Sequence, residues 1–186
     1  MSLLELLLIA IGLSMDSFAV SLTSGSLQCI THKKGLKIAL VFALFQAIMP
    51  VLGWLLGTTF RDMMERIDHW IAFSLLFIIG LKMIVEAIKV KPEDRQFNIN
   101  KNYILIMLAI ATTIDAFVVG ISFGFLNVSI LKASIIIGIV TFIISYGGIC
   151  LGKLNRFIKP RTAELLGGLV LIIIGIKILI EHNKLI

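Results

Sequence analysis

The sequence predicts an all-α integral membrane protein: six transmembrane helices forming two inverted three-helix repeats, with both termini outside. Three observations carry that expectation: a surplus of apolar residues, six apolar runs of spanning length, and a duplication that keeps charged residues in register. Of the 186 residues, 59% are A, V, I, L, M, F, W, Y or C, against roughly 45–50% apolar in an ordinary soluble domain. Six helices of about 20 residues each would absorb nearly all of that stock. One soluble core could not cover so much apolar surface. With only Cys29 and Cys150 present, a disulfide scaffold is excluded. The net charge of +6 reads as loop charge that orients membrane helices, not as a nucleic-acid surface.

The apolar runs fall at 3–24, 36–59, 69–88, 103–124, 131–152 and 164–182. The first has no positive leader and carries Glu5, so it reads as a helix that stays and not as a cleaved signal. GWLLG at 53–57 in the second run and GICLG at 148–152 in the fifth read as small-xxx-small packing faces. Trp70 and Tyr103 open the third and fourth runs as interface anchors. The longest polar joint, 89–102, holds Pro92 and mixed charges and sits at the middle of the chain. It is the expected cytoplasmic linker between a first repeat, 1–88, and a second, 103–186.

The halves match residue by residue. An offset of 99 sets Asp16 on Asp115, Phe18 on Phe117 and Gly25 on Gly124. An offset of 95 then sets Gly53 on Gly148, Gly57 on Gly152, Gly80 on Gly175, Lys82 on Lys177 and Glu86 on Glu181. Three helices is an odd number, so the second copy enters from the opposite side. Charge agrees: with the amino terminus outside, eleven loop Lys and Arg residues face inward and four outward. Inverted repeats are a common plan for secondary transporters, with the substrate held near the midplane.

Asp16 and Asp115 lie near the middle of their spans, where a carboxylate costs about 2.5–3.5 kcal/mol or more. Ser14 and Thr113 precede them at matched positions, and Gln46 in the second span, four residues before Pro50, adds an amide oxygen. As structure alone, these would be interhelical hydrogen-bonding groups that lock the bundle. As a site, they make an oxygen-only set suited to Mg, Ca or Mn. His32, His69 and His182 all stand near span ends and build no softer cluster. Lys82 with Glu86 and Lys177 with Glu181 are spaced for intrahelical ion pairs, or for coupling and gating charges that a bound metal perturbs.

With these residues in view, the chain resembles the MntP family of manganese efflux pumps. GLSMDSFAVSL, MPVLGWLLG, HWIAF, ATTIDAFVVGISF and AELLGGLVLIIIGIKIL carry the likeness over nearly the whole chain. The resemblance implies a multi-pass bacterial inner-membrane exporter of Mn(II), in a superfamily that also holds lysine-type amino-acid exporters. It assigns functional positions to Asp16 and Asp115. Where some relatives carry an acidic residue in the second helix, this chain has Gln46, one formal charge fewer.

The implied partners are a divalent metal as cargo, protons as coupling ion and the lipid bilayer; no resident cofactor is expected. Moving a dication outward against an inside-negative potential costs about 4.6 kcal/mol per 100 mV, from about 2.3 per charge. No G-x-x-x-x-G-K-[ST] loop is present to draw that from ATP, so proton antiport is the expected source. Two alternatives stand beside it. Amino-acid export follows from fold kinship alone. An intramembrane aspartyl protease would also pair two membrane aspartates, but neither lies in a G-x-G-D sequence.

Overall fold

The structure is a computed structural model that describes residues 2–27, 30–61, 68–89, 102–126, 128–154 and 160–183. The chain is all-helical: α1 Leu3–Leu27, α2 His32–Arg61, α3 Asp68–Lys89, α4 Asn102–Thr112, α5 Ile114–Phe125, α6 Ile130–Leu154 and α7 Pro160–Asn183. Among the described residues, four stretches are long and apolar enough to cross a bilayer: Leu3–Ser26, His32–Thr59, Asn102–Phe125 and Ile130–Leu154. The described apolar stretches of α3 and α7 are shorter, Trp70–Val85 and Gly167–Lys177. Residues 90–101 of the expected linker, 89–102, and Cys29 lie outside the described residues.

Polarity is arranged inside out relative to a soluble protein. Leu36, Leu40, Leu44 and Ile48 form an exposed aliphatic row on α2. Leu131, Ile135, Ile139 and Ile143 form the same row on α6, each 95 residues later. Exposed apolar surface on that scale marks contact with something other than water, and here that is lipid. The buried side holds Asp115, Gln46 and a run of serines and threonines. Trp70 and Tyr103 are exposed at the starts of α3 and α4.

The helices pack across the two halves of the chain and hardly within them. α1 lies against α6 and α7, α2 against α5 and α6, and α3 against α7 and α5. Glycines set the closest approaches. A Cβ on Gly57 would overlap the Ile121 carbonyl oxygen, and one on Gly152 would overlap that of Leu22. α2 with α5, and α1 with α6, therefore run parallel at backbone contact. α3 and α7 run antiparallel, with Gly80 against Gly168 and Gly175 against Phe73 and Leu76. Gly138 meets Ala43 and Ala47 where α6 crosses α2, and Ser134 Oγ donates to the Ala47 carbonyl there at 2.6 Å.

The run expected as one span, 103–124, remains one apolar stretch, Asn102–Phe125, but its helix is interrupted within it. α4 stops at Thr112, Thr113 takes φ −114° and ψ 8°, and α5 starts at Ile114. The cause is local. Thr112 and Thr113 both turn their hydroxyls back onto the preceding turn, to Leu108, Ala109 and Ile110 carbonyls, and such bonds compete with the helix ladder. Three β-branched residues in a row stiffen the same turn. The matched stretch of α1, Leu13-Ser14-Met15, has no β-branched residue, and α1 continues through it.

Candidate metal site

The break places Asp115 in the first turn of α5, where the positive end of a helix favours a carboxylate. Its Oδ1 accepts the Ala116 N–H at 2.7 Å, while Oδ2 is buried without a hydrogen-bond partner. Asp16, half-buried on α1, and Lys82, on α3, both lie within electrostatic reach of this carboxyl. Two carboxylates and one ammonium from three different helices thus share one field.

Gln46 on α2 is fully buried. Its Nε2 donates to the Leu13 carbonyl at 3.2 Å, one turn before Asp16, and its Oε1 has no partner. Pro50 has no N–H, so the Gln46 backbone carbonyl lacks its usual helical donor. Gly53 lies against Phe117, so on parallel α2 Gln46, two turns earlier, stands near the end of α4, before the break that leads to Asp115. Gln46 Oε1 and Asp115 Oδ2 are both buried acceptors without a hydrogen-bond partner.

Ser14 and Thr113 are more fully used. Ser14 Oγ donates to the Ala10 carbonyl at 2.6 Å and lies 2.8 Å from Thr141 Oγ1, so Thr141 is the donor of that second bond. Thr113 Oγ1 donates to Ala109, the matched position. Thr23 and Ser122, two turns beyond the aspartates, also turn back on their own helices, to Ala19 and Val118. Among the described residues no three His, Cys, Asp or Glu side chains come together. A cation here would complete its shell with neutral oxygens.

Sequence reasoning missed Thr141. Its signal was the offset of 95, which makes it the counterpart of Gln46. It also missed a partner of Lys177. That side chain forms an ion pair with Glu5, bridging α7 to α1, and Glu5 in turn caps α1 by exchanging hydrogen bonds with Ser2. The side chains of Glu86 and Glu181 lie outside the described ones.

The family model described as "Putative manganese efflux pump" matches residues 29–179. The chain belongs to this family. A "Putative manganese efflux pump MntP" from Crocosphaera subtropica is 50% identical over 182 residues, covering 97% of each chain. "Putative manganese efflux pump MntP 2" of Clostridium botulinum is 46% identical over 197 residues, covering all of this chain and 98% of its own. A Clostridium perfringens relative is 44% identical over 208 residues. No solved structure matches. Membership makes this a multi-pass membrane protein of an efflux-pump family, and transport proteins of that kind are not enzymes; the protease alternative falls with it.

Proposed function

We propose that the chain exports Mn(II) from the bacterial cytoplasm across the plasma membrane, with Asp16 and Asp115 holding the ion midway. The observation that carries this reading is the pair of orphaned buried acceptors, Asp115 Oδ2 and Gln46 Oε1, beside a second carboxylate. Gln46 Oε1 has only lone pairs, and Asp115 Oδ2 has only lone pairs once its proton has left, so a cation answers both. Hard oxygens suit Mn(II), and manganese is the metal named for the relatives. Gln46 supplies an amide oxygen, and Ser14 and Thr113 offer lone pairs from the turns beside the aspartates. Lys82 would neutralise the empty site and give way to the dication.

The energy source in this reading is proton entry. A carboxylate pair that gives up its protons on taking a metal couples the two flows. Inside-out vesicles containing the protein should take up Mn(II) when their lumen is made acidic, and uptake should fall when a protonophore collapses the gradient. Uptake that ignores the imposed gradient would remove protons from the mechanism.

The reading also takes six crossings, inverted halves 1–88 and 103–186, and outward termini. Helix directions support this reading: α1 runs parallel to α6 and α2 to α5, while α3 and α7 run antiparallel. Lys37 Nζ reaches Asn102 Oδ1 at 3.0 Å, which sets the starts of α2 and α4 at one end of the bundle. Reporter tags should place Lys33, Arg95 and Lys159 in the cytoplasm and Arg66 outside. A tag at Arg95 found on the outer surface would reverse the orientation.

Gln46 is expected to tune the site without being indispensable. Gln46→Glu adds a charge and should shift metal preference or the pH dependence of transport. Gln46→Ala removes one oxygen ligand and should weaken Mn(II) binding about tenfold, the scale of one contact to a charged group. Binding titrations across Mn(II), Fe(II), Mg(II) and Cd(II) would show it. An Ala variant unchanged for every metal would reduce Gln46 to a packing role.

A further inference from the structure

Away from the aspartates, three serine hydroxyls are fully buried with no hydrogen-bond partner: Ser17 and Ser21 on α1 and Ser145 on α6. They belong to one seam. Thr141 meets Ser14, and Gly148 meets Phe18 and Ser21. Ser145, one turn past Thr141 on the same face, therefore stands level with Ser17 and Ser21. Their neighbours behave ordinarily. Thr23, Ser24 and Ser26 donate to carbonyls four residues earlier, the usual way a membrane helix satisfies a hydroxyl.

The opposite seam shows the dry alternative. At the same offsets, Ser17, Ser21 and Ser145 correspond to Ala116, Gly120 and Pro50, none with a hydroxyl. There the backbones touch: a Cβ on Gly53 would overlap the Phe117 carbonyl oxygen, and one on Gly120 that of Pro50. On the hydroxyl side a Cβ on Gly148 would stand 3.0 Å from Phe18 Cδ2, 3.1 Å from Phe18 O and 3.2 Å from Ser21 Cβ. One turn on, the seams are alike again, Gly152 closing on Leu22 as Gly57 closes on Ile121. The α1/α6 seam is thus slightly wider than its counterpart where the free hydroxyls lie, though still in close contact, between Asp16 and a pinch at Gly25 and Gly152.

We propose that the free hydroxyls of Ser17, Ser21 and Ser145 form a second station for the transported divalent cation, on the cytoplasmic side of the aspartates, which the ion enters when this seam parts. It rests on the transport reading and its orientation. Neutral hydroxyls suit an ion that keeps part of its water: their lone pairs face the metal and their protons go to its hydration shell. The ion would shed the remaining water only on meeting the two carboxylates. The pinch at Gly25 and Gly152 closes the station toward the cytoplasm in this conformation.

The test uses a background with Cys29→Ser and Cys150→Ala, in inside-out vesicles and with Mn(II) as the probe. Ser21→Cys and Ser145→Cys should react with a membrane-impermeant cationic thiosulfonate, and Mn(II) should slow that reaction. Ala116→Cys, their dry counterpart, should stay unlabelled. The combined variant Ser17→Ala, Ser21→Ala, Ser145→Ala should carry Mn(II) about tenfold more slowly, with equilibrium binding at the aspartates unchanged. Seam cysteines as inert as Ala116→Cys, labelling indifferent to Mn(II), or a combined variant as fast as the parent would each overturn the station. If the combined variant does not accumulate, the labelling decides. Parent vesicles without Mn(II) flux would overturn the transport reading and the station together.

Discussion

Asp115→Asn should abolish manganese resistance while the protein accumulates normally in the membrane, and Asp16→Asn should do the same. Asn keeps the size of the side chain, and its Oδ1 can still accept the Ala116 N–H that Asp115 accepts now. What it removes is the anion. Two unit charges about 4 Å apart at an effective dielectric of about 20 attract by about 4 kcal/mol, and a dication doubles that, so transport should fall by more than about 100-fold. Folding should be preserved or improved, because a buried charge without full compensation is itself destabilising. Asp115 is more deeply buried than half-buried Asp16, so its Asn variant should gain the more in thermal stability. Metal accumulation, membrane abundance and melting temperature, measured together, decide the matter. If either Asn variant protects cells as well as the parent, that aspartate only bridges helices.

The helix positions were largely legible because lipid demands apolar length. The runs at 3–24, 36–59, 69–88, 131–152 and 164–182 sit inside α1, α2, α3, α6 and α7, whose polar ends extend beyond them. The pairing of Asp16 with Asp115 was legible from their matched register. The break at Thr113 was not, because hydropathy runs through it without a dip. Its signal was chemical: two threonines and an isoleucine able to divert the backbone bonds of one turn. Lys177 held more than its spacing to Glu181 suggests: its ion pair with Glu5 joins residues 172 positions apart, which no periodicity reveals. Hydroxyl satisfaction was equally hidden. Ser14, Ser17, Ser21 and Ser24 form one stripe in sequence, yet Ser14 and Ser24 are bonded while Ser17 and Ser21 are not.

Two matched glycines should differ sharply when each is given a methyl group. Gly53 and Gly148 hold equivalent places in the duplication, so sequence alone expects similar outcomes. At Gly53 the added Cβ would overlap the Phe117 carbonyl oxygen and stand 2.9 Å from Ile121 N. Both are backbone atoms of α5, which cannot move without shifting the whole helix. Overpacking of this kind costs about 1–3 kcal/mol and sometimes more, so Gly53→Ala should lower the melting temperature by several degrees, and Gly53→Leu should not accumulate. Gly53→Ala should also cost more export than abundance, because pushing α5 outward displaces Asp115, which α5 carries. At Gly148 the nearest atoms lie at 3.0–3.2 Å and two of the three belong to side chains, so Gly148→Ala should need only a small adjustment. Next to it, Gly147 has nothing within 4 Å, and Gly147→Ala should match the parent. The expected order of damage is Gly53, Gly148, Gly147, read by thermal melting of the detergent-extracted protein and by Mn(II) export normalised to abundance. Equal damage at Gly53 and Gly148 would mean that the two seams close alike, and the one-sided widening beside Asp16 would not exist.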